Sequence, residues 1–283
     1  MSARIIDGKA IAAGIRADVA ERIARAGVTP GFVDVLVGDD QASATYVRMK
    51  YRAARELGIE VFDQHMPADS SREQLLKVID ELNRDPKVHG IIVQSPLPKE
   101  CDADIFELQQ ATLPEKDVDG LHVSNQGLLA MGHPRFVPAT TAGVVEMLHA
   151  ADVPVEGAHV VIVGRSVLVT RPLAMLLSLK QPGLNATVTV CHTGTKDLAR
   201  HTREADIIVA AAGRAKLITA DMVRPGAAVI DVATNPGPDG KLVGDVDFDA
   251  VREVAGAISP VPGGVGPMTV AMLMSNIARA AGC

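Results

Sequence analysis

Residues 160–172, "VVIVGRSVLVTRP", decide the fold. Four β-branched apolar residues run into Gly164 and a helical pattern follows at once, so the stretch reads as buried strand, glycine turn and helix start. Such a turn is where a doubly wound sheet holds a pyrophosphate on free backbone N–H groups. It carries one glycine instead of three, and the same turn occurs in α/β proteins without a nucleotide. The neighbouring segments must therefore decide.

Downstream, the pattern repeats in "ATVTVCHTGT" (186–195), "ADIIVAAAG" (205–213), "GAAVIDVATN" (226–235) and "AISPVPGGVGP" (257–267). Short β-branched strands separated by helical or polar segments give the order of a Rossmann-like doubly wound nucleotide-binding sheet. His192, Gly213 and Thr234 fall at strand ends where a dinucleotide would lie. The closing "PMTVAMLMSNIARAAG" reads as an apolar helix.

Upstream, the pattern predicts a helix near 9–26, a strand over 32–38 ("FVDVLVG"), a helix in "ASATYVRMKYRAARELGI" (42–59) and a strand over 58–64. A further helix starts at Ser70, where Ser70 and Glu73 give a capping signal. "KVHGIIVQSPLP" (87–98) is a buried strand entering a loop locked by Pro96 and Pro98. This βαβ alternation implies a parallel sheet covered by helices. The turn-rich segment between Asp119 and Thr141 puts a junction near 120–141. The expectation is an α/β protein of two domains, residues 1–140 and 141–267, with helix 268–283 packing back on the first.

Composition narrows the partners. A net charge of −6 and 2% aromatic residues supply neither the positive surface nor the stacking platforms that nucleic acids need. No run reaches the ~18 apolar residues of a spanning helix, and the N-terminus lacks the apolar core of a signal peptide. Three cysteines, widely spaced and in no CxxC pair, suit a reducing cytoplasm. The eight histidines form no HxxxH pair, so no metal is expected.

Cofactor choice is read one strand after the glycine. An NAD site usually ends that strand on an acid, about 20 residues on, to hold the ribose hydroxyls. Here it ends "VCHTGTK", and Arg165, Thr193 and Lys196 suit a 2′-phosphate, which points to NADP.

The only tyrosines are Tyr46 and Tyr51. On a helix Tyr46 and Lys50 share a face one turn apart, while Tyr51 points elsewhere. An amphipathic helix with a solvated Lys50 is the plain alternative. A YxxxK motif with a glycine loop suggests short-chain dehydrogenases, but there the glycine loop comes first; here Tyr46 and Lys50 precede Gly164.

Taken together, "VGDDQASATYVRMKYRAARELGI", "GIIVQSPLP", "PEKDVDGLH", "VVIVGRS" and "PVPGGVGPMTVAMLM" closely resemble the bifunctional methylenetetrahydrofolate dehydrogenase/methenyltetrahydrofolate cyclohydrolase family. The resemblance runs over nearly the whole chain. It implies an N-terminal α/β folate-binding domain, a nucleotide-binding domain, a cleft between them and a homodimer. The implied chemistry is NADP-linked oxidation of 5,10-methylenetetrahydrofolate, then hydrolysis to 10-formyltetrahydrofolate.

Carried over by motif, Lys50 is the acid/base lysine, Tyr46 its neighbour in the folate cleft, Gln94 the lysine's partner and Asp119 the pterin-binding carboxylate. Pro262, Gly263 and Gly264 would border folate and nicotinamide. Gly164, Arg165, Ser166, Thr193 and Thr234 fall at cofactor positions. An ordinary lysine, with a pKa of about 10.4, is a poor base at neutral pH, so a neutral glutamine partner suits the task better than a carboxylate. The pterin edge offers adjacent N–H donors that a carboxylate accepts together.

Two positions depart from the family pattern, both on the cofactor side: Thr170 in place of a glycine, and "VATN" (232–235) in place of a "VGIN"-like segment. A cyclohydrolase with weak hydride transfer, or a non-catalytic folate- or nucleotide-binding regulator, are the alternatives.

Overall fold

The computed structural model describes residues 2–237 and 240–283. In chain order its helices and strands are β1 (Arg4–Ile5), α1 (Gly8–Ala26), β2 (Gly31–Val37), α2 (Gln41–Glu56), β3 (Glu60–Met66), α3 (Arg72–Arg84), β4 (Gly90–Val93), α4 (Ile105–Ala111), α5 (Val123–Ala130), α6 (Ala139–Ala150), β5 (His159–Val163), α7 (Thr170–Leu177), β6 (Thr187–Cys191), α8 (Leu198–Arg203), β7 (Ile207–Ala210), β8 (Ala228–Asp231), β9 (Asn235–Pro236), β10 (Leu242–Val243), α9 (Phe248–Arg252), β11 (Ala257–Ile258) and α10 (Val265–Ala280). They fall into two compact units, residues 14–139 with 270–283, and residues 1–13 with 140–269.

The first unit is built on a parallel sheet in the order β3-β2-β4. Its central strand β2 is covered on both faces, which is why it reads as an almost unbroken apolar run. Side chains alternate along it, so Phe32, Asp34 and Leu36 share one face. Phe32 and Leu36 belong to a core with Val47, Tyr51 and Ala54 of α2 and Leu273, Met274 and Ile277 of α10. On the other face Val33 and Val35 pack with Val88 and Ile91.

Helix α2 starts where Asp40 accepts the Ser43 N–H at 2.8 Å, the usual satisfaction of a free donor at a helix start. Its buried residues are Ser43, Val47, Lys50, Tyr51 and Ala54, one stripe at helical spacing. Lys50 thus sits in the stripe that faces the core. Helix α3 starts one residue later than the Ser70 signal implies: Ser71 and Gln74 form the capping box, while the Ser70 hydroxyl donates to the Pro67 carbonyl.

The second unit carries a six-stranded parallel sheet in the order β1-β11-β8-β7-β5-β6. The chain leaves β5 for β6 on one side and returns as β7 on the other, so the strand order reverses at β5. Ligands of doubly wound sheets bind beyond the strand ends at such a switch point. Gly164, immediately after β5, is at that place. Residues 1–13 belong to this unit and not to the one the sequence pattern suggested, because Arg4 and Ile5 pair with Ala257 and Ile258.

Candidate active site

In the first unit, Tyr46, Lys50 and Gln94 come together. Lys50 is only 3% exposed. Its Nζ donates to Gln94 Oε1 at 2.9 Å and lies 4.7 Å from the centre of the Tyr46 ring, within the range of a cation–π contact. The Gln94 amide is oriented by its own Nε2, which donates to the Ser95 carbonyl at 2.8 Å, so its oxygen faces the lysine. The plain alternative of a solvated Lys50 does not hold.

A third partner was not anticipated. Asp34, in the middle of β2, forms an ion pair with Lys50 through Oδ2, and its side chain is fully buried. The expectation of a solely neutral partner is thereby corrected: the amine meets both an amide and a carboxylate. Burial pushes the Asp34 carboxyl above the ordinary carboxylate range, against the pull of the adjacent ammonium. The available signal was a lone acid inside "FVDVLV", which a strand pattern treats as an interruption.

Tyr51 points away from Tyr46, as the helical spacing predicts. Its Oη accepts the Asp34 N–H at 3.1 Å, and its proton serves the Asp34 carbonyl at 3.0 Å or that of Phe62 at 3.1 Å. Its ring packs edge-on to Phe32 with centroids 5.9 Å apart.

Asp119 is half-buried on the loop between α4 and α5. Its carboxyl is raised by burial, opposed by the Lys50 charge. The Tyr46 hydroxyl is pushed up to about 12 by burial and by the Asp119 and Asp34 charges, which keeps the phenol protonated at neutral pH. The loop that carries Asp119 is held by Asp117, which accepts N–H groups from Leu121 at 3.2 Å and His122 at 2.8 Å and the Asn125 amide at 2.7 Å. Asp117 is therefore a support for Asp119. Burial raises its carboxyl to about 6.

In the second unit, Gly164 has φ +139°, and a Cβ there would stand 2.3 Å from the Ala211 carbonyl oxygen, so the turn requires glycine. Arg165 Nη2 donates to Thr193 Oγ1 at 3.3 Å, bringing the two proposed phosphate donors together on the exposed surface. Ser166 Oγ accepts the Val169 N–H at 3.2 Å at the start of α7. An exposed guanidinium beside a hydroxyl, at the switch point and with no acid ending β6, is a donor set that fits NADP. Thr234 is exposed near the end of β8. Gly264 lies against Gly8, where a Cβ on Gly8 would stand 1.8 Å from the Gly264 oxygen; Pro262 and Gly263 precede it in the same turn.

Thr170 is fully buried, its hydroxyl donating to the Ser166 carbonyl at 3.2 Å. Its methyl lies under Gly164, 3.2 Å from where a Cβ would stand. The side chain that departs from the family's glycine is therefore turned inward, against the Gly164 turn.

Two acids missed by the sequence pattern shape the loops near this turn. Asp245 accepts the N–H groups of Ala212, Gly213 and Arg214 at 2.5, 2.9 and 2.6 Å and the Asn235 amide at 3.0 Å. Asp231 accepts from Asp245 and Val246 at 3.0 and 2.9 Å. The "VATN" segment thus keeps its buried Asn235 as a structural partner of Asp245. No cluster of three or more His, Cys, Asp or Glu that could hold a metal is found among the described residues, and no described helix is long and apolar enough to cross a membrane.

Two family models match, the catalytic domain of tetrahydrofolate dehydrogenase/cyclohydrolase over residues 6–119 and its NAD(P)-binding domain over residues 138–282. The chain is 53% identical to the bifunctional protein FolD of Bordetella avium, over 99% of this chain and 98% of that one. It superposes with a TM-score of 0.94 on the bifunctional FolD methylenetetrahydrofolate dehydrogenase/cyclohydrolase of Campylobacter jejuni, at 41% identity and 99% coverage of both. A Trypanosoma brucei methylenetetrahydrofolate dehydrogenase-cyclohydrolase, complexed with NADP and an inhibitor, gives a TM-score of 0.92 at 38% identity, covering 100% of this chain and 98% of that one.

Proposed function

The chain belongs to the tetrahydrofolate dehydrogenase/cyclohydrolase family, and we propose that it is the bifunctional enzyme of one-carbon metabolism, with Lys50 as the acid/base group. It oxidises 5,10-methylenetetrahydrofolate with NADP and hydrolyses the resulting methenyl cation to 10-formyltetrahydrofolate. The observation that carries the assignment of roles is Lys50 itself, a buried amine between Gln94 Oε1 and the Tyr46 ring.

Hydrolysis adds water to the methenyl carbon and breaks its bond to N5, with one proton released overall. The attacking water must lose a proton and N5 must gain one. We assign both transfers to Lys50, whose amine Asp34, Gln94 and Tyr46 contact. Tyr46 acts through its ring and as a neutral phenol. Asp119 would accept the adjacent N–H donors of the pterin, and Asp117 keeps it in position for that.

The nicotinamide supplies the hydride acceptor when NADP is bound. Arg165 and Thr193 would hold its 2′-phosphate, Gly164 and Ser166 its pyrophosphate, and Thr234, Pro262, Gly263 and Gly264 would border it or the folate. The folate side falls to residues 14–139 with 270–283 and the cofactor side to residues 1–13 with 140–269. A homodimer in the cytoplasm completes this reading, supported by the outer edge of β3, which pairs with no other strand among the described residues, and by three free cysteines.

The test is a pair of absorbance assays on the purified chain: NADPH formation from methylenetetrahydrofolate, and decay of methenyltetrahydrofolate above its uncatalysed rate. Both should be present. Methenyl decay alone would reduce the enzyme to a cyclohydrolase, and neither would leave a binding protein.

A further inference from the structure

Asp34 stands apart from the other buried acids of this chain. Asp117 accepts three hydrogen bonds and Asp245 four, as expected of carboxylates taken out of water. Asp34 has a fully buried side chain, yet Oδ1 meets no donor, and Lys50 is the partner of Oδ2. A carboxylate with a purely architectural task would be satisfied by backbone donors. This one is aimed at an amine and little else.

Its backbone is also fixed. The Tyr51 hydroxyl bridges the Asp34 N–H and carbonyl, so the strand cannot turn the carboxylate away from the lysine. Lys50 Nζ also donates to Gln94 Oε1 and lies 4.7 Å from the centre of the Tyr46 ring. The amine therefore has three contacts, and among the described residues the Asp34 carboxylate is the full charge paired with it.

We propose that Asp34 is a positioning residue for Lys50, whose carboxylate fixes the amine at the reaction face and determines the pH range over which the Lys50–Asp34 pair works as a base. The inference rests on the assignment of hydrolysis to Lys50. The groups facing Asp34 are Lys50, Tyr46 and Tyr51 from α2, Asp63 at the paired position of β3, and Asp119 from the loop between α4 and α5. Arg55 lies over the Tyr51 ring, 5.9 Å from its centroid. Tyr46 and Tyr51 stay neutral, so the balance is set by one ammonium against the carboxylates. Removing the Asp34 charge while keeping its shape makes the protonated pair less favourable.

The experiment is the pH profile of methenyl hydrolysis for the parent enzyme and Asp34→Asn, with the uncatalysed rate subtracted. The account expects the limb that rises with pH to move about 1–3 units toward acid in the variant, the change that loss of an adjacent opposite charge brings. It also expects kcat to fall while KM for the methenyl substrate stays near the parent value. A fall in rate with an unmoved limb would reduce Asp34 to a structural ion pair and overturn the proposal, as would an unchanged profile. Should Asp34→Asn not fold, the Asp34 carboxyl is followed by carbon NMR in the parent and in Lys50→Met. Its midpoint must rise when the amine is removed, and equal midpoints overturn the proposal. A parent chain that folds but does not hydrolyse the methenyl substrate defeats the functional assignment instead, and the NMR comparison then still decides whether the two groups are coupled.

Discussion

The Lys50 nitrogen lies 4.7 Å from the centre of the Tyr46 ring, one helical turn before it on α2. The tyrosine four residues before the lysine therefore contributes its aromatic face, and its hydroxyl, at about 12, takes no part in proton transfer near neutral pH. Tyr46→Phe should keep the pH dependence of methenyl hydrolysis unchanged. Tyr46→Ala should lower kcat/KM by roughly 2- to 30-fold, the equivalent of ~0.5–2 kcal/mol for a cation–π contact. A Phe variant as impaired as the Ala variant would show that the hydroxyl matters.

Asp119→Ala should weaken folate binding by about 1.5–3 kcal/mol, the range for a charge-assisted acceptor, and leave NADP binding nearly unchanged. Calorimetric titration with each ligand separates the two. Equal losses would point to a folding defect.

Asp117 supplies a pH signature. Its carboxyl is raised from 3.8 to about 6 by burial. A raised folded-state value means the folded chain holds the proton more tightly than the unfolded chain, so the contribution is fully present below pH ~4 and lost as pH rises through 6. About two units correspond to roughly 3 kcal/mol. Asp231, raised to about 6 as well, contributes a loss of the same sign, so urea unfolding at pH 4, 5, 6 and 7 should show a steeper loss in the parent than in Asp117→Asn, by about that amount; identical slopes would remove Asp117 as a source.

On the cofactor side, Arg165→Ala should raise the Michaelis constant for NADP and barely alter that for NAD, which lacks the 2′-phosphate. A charged contact is worth about 1.5–3 kcal/mol, less at an exposed site such as this one. An unchanged NADP to NAD ratio would reject the Arg165–Thr193 phosphate site. Because Thr170 is buried and bonded to the Ser166 carbonyl, Thr170→Gly should improve neither cofactor and should cost ~1–2 kcal/mol in stability. A gain with both cofactors would show instead that Thr170 hinders their binding.

Much of this is legible in the sequence alone. β5 and Gly164 stood out because a β-branched run ending on glycine has few other readings, and the Tyr46, Lys50 and Gln94 set came through its motifs. The α3 start is read one residue early from Ser70 and Glu73, because the Pro67 carbonyl takes the Ser70 hydroxyl and leaves the capping box to Ser71 and Gln74. β1 was invisible, since two residues show no periodicity and their partners lie some 250 positions away. Asp34 was hidden for a different reason. Strand patterns score an interior acid as noise, and only the fold shows that it lies on the face of β2 toward α2, against Lys50.

The most direct test is Lys50→Met, which keeps the aliphatic stem but cannot carry a proton. Methenyltetrahydrofolate decay should fall to its uncatalysed rate while calorimetry still detects folate binding. Hydrolysis at the parental rate in a folded Lys50→Met variant would contradict the assignment of Lys50 as the acid/base group.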